Sequence, residues 1–277
     1  MRKFLDGWLD DVPGAWRSSL DNIEPDVGAI AEETTLADDE IIFPGRRGHP
    51  APDARSDSHV FRALEGMPPK DVRAVILGQD PYPKPSRATG RSFEQGDLAV
   101  WSSEKSKVAE SLRRILQAAG HFRTGEAKFI AGDAAWPGLV NTLPLEPPRQ
   151  FFDAWQAQGV LCINAALTLS RFEPSVQKAH FGLWRPVVKA MLETIATRTN
   201  RAAVFLLWGA VSQSTFQKLK ILEAAQAEGT EERVAVVNHA HPRAEDATGN
   251  PLFFKPPNVF KTANERLVAA GGQPISW

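Results

Sequence analysis

Between residues 78 and 83 the chain sets out a glycine, a carboxamide, a carboxylate, a phenol and two prolines, in the order Gly78-Gln79-Asp80-Pro81-Tyr82-Pro83. A carboxylate in so stiff a loop is suited to orienting water or stabilising a nearby cation. Other polar residues follow short apolar runs further along. Asn164 follows residues 160–163, Gly209-Ala210 follows 203–208, and Asn238-His239-Ala240-His241 follows 234–237. An imidazole donor such as His241 suits an anionic leaving group, and the Asn164 amide can read a flat heterocycle through paired donor and acceptor bonds. Together, one carboxylate, one imidazole and two carboxamides suit cleavage of an N-glycosidic bond to a nucleobase. Rival chemistries lack their parts. There is no Gly-x-Ser-x-Gly elbow, no phosphate-cradling glycine loop with lysine, and no His-Glu-x-x-His pattern or acid pair that suggests a metal. His239 is expected to be structural. Cys162 is the only cysteine and lies in an apolar run. An internal disulfide is therefore impossible, and an inert buried thiol is expected.

These residues need elements to carry them. Residues 72–77, 160–163, 203–208 and 234–237 form four apolar runs without polar alternation, as in strands buried on both faces of a parallel sheet. Helical spacing separates them: Val108, Leu112, Ile115 and Leu116; residues 151–155; Leu183 through Ile195; and residues 259–269. The alternation predicts an α/β fold, a three-layer αβα sandwich around a central four-stranded parallel sheet. In such sheets ligands bind beyond the carboxyl ends of the strands, which is where the polar residues fall. Residues 84–107 and 120–150, rich in glycine, proline and charge, read as long loops. Residues 1–57 read as an acidic N-terminal extension, packed on the body or partly mobile, ahead of one domain spanning 58–277.

The net charge of −1 is unevenly spread. Eleven acidic and three basic residues give positions 1–40 a charge of −8, leaving +7 on the remainder. A basic body is compatible with a polyanionic partner. Arg87, Arg91, Arg243, Lys255 and Lys261 read as a solvated basic face, with phosphate contact as a second reading. No apolar stretch approaches the length of a membrane span, and the charged start Met1-Arg2-Lys3 does not suit a signal peptide. A cytoplasmic protein is expected.

Gly78-Gln79-Asp80-Pro81-Tyr82, Leu161-Cys162-Ile163-Asn164-Ala165-Ala166-Leu167-Thr168, Phe205-Leu206-Leu207-Trp208-Gly209 and Ala240-His241-Pro242 occur in that order. Phe260-Lys261-Thr262-Ala263-Asn264-Glu265 and Pro274-Ile275-Ser276-Trp277 close the chain. In combination this resembles family 1 uracil-DNA glycosylase, over roughly residues 60 to 277. The resemblance implies that Asp80 positions the attacking water and stabilises the deoxyribosyl cation. It implies that His241, as a neutral imidazole, donates to uracil O2, and that Gln79 binds O2 through its backbone. Phe93 would stack on uracil, Tyr82 would exclude the methyl of thymine, and Asn164 would reject cytosine. It further implies base flipping, no metal or other cofactor, a monomer, and uracil-containing DNA, single- or double-stranded, as partner.

The chain departs from the family pattern at several points. Pro83 replaces a histidine. The loop His-Pro-Ser-Pro-Leu-Ser becomes His241-Pro242-Arg243-Ala244-Glu245-Asp246, which puts Glu245 at the position of the apolar wedge, with Leu252, Phe253 or Phe254 as substitutes. The phosphate-binding Gly-Ser becomes Gly209-Ala210, and Trp101-Ser102-Ser103-Glu104-Lys105 stands where a proline-rich loop is usual. DNA contact is thus expected from Arg243, Glu245, Gly209 and Ala210 on an altered surface, with reduced sensitivity to a DNA-mimicking inhibitor protein. The alternatives are a uracil-DNA binding protein without turnover, or a superfamily relative with another base or single-strand preference.

Overall fold

In the computed structural model, which describes residues 1–33, 36–37 and 39–277, four parallel strands form one sheet in the order β2-β1-β3-β4. They are β1 (Ala74–Gly78), β2 (Val160–Asn164), β3 (Ala203–Trp208) and β4 (Val234–His239). Alternate residues of each strand feed two different cores. Val75, Leu77, Leu161, Ile163, Phe205 and Leu207 pack on one face, while Ile76, Cys162, Val204, Leu206 and Trp208 pack on the other. This is why the runs do not alternate in polarity. The edge strand β4 differs: Ala235 and Val237 are buried, whereas Val234 and Val236 are half-covered and Asn238 is exposed.

The first face is covered by α1 (Arg2–Leu5), α2 (Gly14–Leu20) and α3 (Gly28–Glu33), by the long α7 (Pro174–Ala196), and by α8 (Ala210–Lys218) and α9 (Ile221–Ala227). The second is covered by α4 (Glu110–Thr124), α5 (Trp136–Thr142), α6 (Pro148–Ala157) and α10 (Val259–Ala269). The three-layer expectation therefore holds. None of these helices is long and apolar enough to cross a membrane.

One expectation needs correction. Residues 120–150 are not a long loop, since α4 runs to Thr124 and α5 and α6 follow. Proline misleads here. Pro137, Pro148 and Pro174 all stand in the first turn of a helix, where the missing N–H costs nothing and the fixed φ suits helix entry. The segment from 210 to 227, whose apolar pattern is weak, forms α8 and α9.

The acidic leader packs on the body. Trp8 lies against Phe61 and Trp184 and the Trp16 indole donates to Met67 O at 2.6 Å, while within the extension the Arg46 guanidinium caps Phe4 O, Asp6 O and Gly7 O. Thr34, Thr35 and Asp38 of that leader lie outside the described residues.

Candidate active site

Strand register sets the site. Gly78 of β1 pairs with Asn164 of β2, Leu77 with Leu207 of β3, and Trp208 with His239 of β4. All four strands therefore end at one level, and the order in which strands are added reverses between β1 and β3, a switch point of the kind at which open parallel sheets form a crevice. A cavity of about 370 Å³ opens there. It is lined by Gln79, Asp80, Tyr82, Phe93, Asn164 and His241, with Arg243 at its edge. The expected catalytic and base-reading residues thus come together in one cavity, large enough for a nucleobase and its sugar.

Each side chain has a physical reason for its place. Gly78 must lack a side chain, because a Cβ there would lie 2.3 Å from Asn164 Oδ1 and 2.6 Å from Ser92 Cβ. Ala165 N–H and Ala166 N–H donate to Gly78 O and Gln79 O at 3.0 and 2.9 Å, zipping the two strand-end loops together. The loop carrying Phe93 is fastened over them by Ser92, whose N–H donates to Cys162 O and whose hydroxyl donates to Ile76 O. Phe93 itself has φ +63°, a conformation rare for a bulky residue and one that marks functional sites. Its ring rests on Trp208 with centroids 5.5 Å apart, and its carbonyl accepts from the Tyr82 hydroxyl at 3.3 Å. Burial pushes the Tyr82 phenol up, so it stays neutral.

Asp80 is half-buried, and burial raises its carboxyl above the usual range. The opposing influence is a hydrogen bond from Gln177 Nε2 to Asp80 Oδ2 at 2.6 Å, across from α7. Gln177 was not singled out from the sequence. It is 97 residues from Asp80, and a glutamine on a helix carries no local signal.

His241 is held in a defined tautomer. Its Nδ1 accepts from the Arg243 N–H at 3.1 Å, which leaves the proton on Nε2. Burial, and then the charge of Arg243, lower its pKa, so the ring is neutral near pH 7. Gly209, expected as a DNA contact, makes room for this ring. With φ +91° and ψ 165° it is in a region open essentially to glycine alone, and a Cβ there would lie 2.7 Å from His241 Cβ. Ala210 is exposed at the start of α8. His239 packs edge-on to Phe253 at 5.2 Å, in keeping with a structural role.

Other expectations change. Arg91 is not solvated. It is buried, with its guanidinium 2.7 Å from Asp153 and also bonded to Gln156. Glu245 does not stand free as a wedge, because its carboxylate accepts from the buried Arg114 guanidinium, which also holds Glu110 and Asp133. Phe253 is no substitute, being 1% exposed against Trp208. Arg243 is exposed and its Nε donates to Glu110 at 3.2 Å. Cys162 is a buried free thiol pushed up to about 12 by burial, hence inert. Among the described residues no group of His, Cys, Asp and Glu has metal-binding geometry.

Comparison with known proteins agrees with this geometry. A family model described as the Uracil DNA glycosylase superfamily matches residues 65–268. A uracil-DNA glycosylase of Bordetella pertussis is 32% identical over 272 residues, covering 96% of this chain and 87% of that protein. One from Leuconostoc mesenteroides is 30% identical over 88% of this chain and 86% of its own length. In fold, the chain is similar to the wild-type UNG crystal structure from Nitratifractor salsuginis, with a TM-score of 0.58 and 24% identity over 88% of each chain.

Proposed function

The chain belongs to the uracil DNA glycosylase superfamily, and from that premise we propose that its strand-end cavity hydrolyses the N-glycosidic bond of uracil in DNA, leaving an abasic site. One observation carries the reading: the Asp80 carboxylate, the Asn164 amide and a neutral His241 line a single base-sized cavity.

The chemistry follows from the groups. Uracil must leave the base stack to enter so narrow a site. Phe93, braced on Trp208, offers a face for stacking, and Asn164 offers a donor and an acceptor to the uracil edge. Tyr82, fixed by its bond to Phe93 O, fills the space where a thymine methyl would lie. The C1′–N1 bond breaks with its electron pair passing to uracil. His241 Nε2–H donates to the oxygen on which that charge collects. The resulting cation at C1′ faces the Asp80 carboxylate, which also orients the incoming water and takes its proton. Gln177 keeps that carboxylate aimed. Arg243, exposed beside the cavity, is the candidate phosphate contact. A polyanionic inhibitor would meet Glu110 and Glu245 on the same rim, which supports reduced sensitivity to one.

The test is release of free uracil from single- and double-stranded oligonucleotides in the presence of a chelator. The wild type should release it, and Asp80→Asn should lower the rate about 10²- to 10⁴-fold. Full-rate release by Asp80→Asn would sink the assigned role. Tight binding without release by the wild type would favour a binding protein instead.

A further inference from the structure

Phe172 stands on the connection between β2 and α7 with 64% of its surface exposed, and it lines the same cavity as Asp80, Asn164 and His241. A phenyl ring exposed at the mouth of a polar site offers a flat face on which a base can stack. Two residues further on, Pro174 opens α7 and, with Gln177, lines a second cavity of about 620 Å³ between α7 and α8. Gln79 lines both cavities. Residues 172–177 are therefore the ridge between the catalytic cavity and its neighbour. Among the described residues that line it, Lys178, Arg185 and Lys218 stand with the carboxylate of Asp26, so the lining is basic. On the rim, Glu245 is bonded to Arg114 and Phe253 lies in the core, while Leu252 and Phe254 stay half-exposed.

We propose that a single DNA strand crosses this ridge, so that the base next to the target nucleotide stacks on Phe172 and the following phosphates enter the groove of Lys178, Arg185 and Lys218. An aromatic platform beside a basic groove is the recurring solution for gripping an unpaired strand without reading its sequence. Phe172 supplies the ring face, and the three cations follow the backbone. The proposal rests on the reading of uracil-containing DNA as substrate.

The test is steady-state uracil release from a single-stranded oligonucleotide, with 2-aminopurine beside the uracil as a stacking reporter. Phe172→Ala should raise KM roughly 10- to 100-fold, leave kcat within about threefold and abolish the 2-aminopurine quenching. Phe172→Trp should restore both. Thermal melting of each variant checks folding, which so exposed a side chain does not support. Unchanged KM and quenching in Phe172→Ala, or a loss that Phe172→Trp does not restore, overturns the proposal while uracil release by the wild type upholds the glycosylase reading. A wild type that releases no uracil from any strand overturns both.

Discussion

Gly209→Ala separates two roles for one residue. If Gly209 only touches DNA, a methyl group there should weaken binding. If it makes room for His241, the methyl should damage the chemical step. The structure favours the second. The added Cβ would lie 2.7 Å from His241 Cβ, whereas two carbons sit comfortably at about 3.5–4.0 Å. The imidazole must therefore retreat by roughly 1 Å. Displacement of a catalytic group by that much costs about 10²-fold in rate. The backbone adds its own penalty, since φ +91° with ψ 165° is essentially glycine-only and costs about 1–3 kcal/mol for another residue. At about 2–4 °C per kcal/mol, Tm should fall by a few degrees up to about 12 °C. Single-turnover uracil release at saturating enzyme measures the chemical step, and fluorescence anisotropy of a labelled oligonucleotide measures binding. The expected result is a rate about 100-fold lower with Kd changed less than about threefold. A normal rate with weakened binding would refute this reasoning and return Gly209 to the DNA contact.

Three further outcomes follow. Burial raises the Asp80 pKa and lowers that of His241; each works deprotonated at its reacting state, Asp80 as carboxylate and His241 as neutral ring. The profile of kcat against pH should thus show an acid limb and no decline between pH 6 and 8, and a basic limb in that window would contradict the neutral donor. Gln177→Leu removes the donor to Asp80 Oδ2, so the acid limb should move to higher pH and kcat should fall about tenfold or more, a hydrogen bond to a charged group being worth about 1.5–3 kcal/mol; an unmoved limb would show that Gln177 does not support the carboxylate. Glu245→Ala breaks a half-exposed ion pair with Arg114 and should cost about 0.5–1 kcal/mol in urea unfolding; an unchanged unfolding midpoint would show that the pair does not hold this loop.

Much of the site was legible before any contact was known. Asp80, Asn164 and His241 each follow an apolar run, and a parallel sheet brings its strand ends to one edge. What stayed hidden depends on contacts between distant segments. Gln177 reaches Asp80 across 97 positions, and Arg114 reaches Glu245 across 131. No local pattern announces either bond. Arg91 looked like surface because its partners, Asp153 and Gln156, lie on a helix 62 and 65 residues away. The proline-opened helices were hidden for a different reason, since proline marks both loops and first helical turns.

The chemistry of this protein is therefore written in residue types at strand ends, because period and polarity act locally and survive in one dimension. The three-dimensional structure alone decided how those groups are held. It made Gly78 and Gly209 spaces for Asn164 and His241, bonded Glu245 to Arg114 and left Phe172 in water at the cavity mouth. Those outcomes come from which surfaces close over one another when the helices dock, and packing of that kind has no counterpart in the order of residues along the chain.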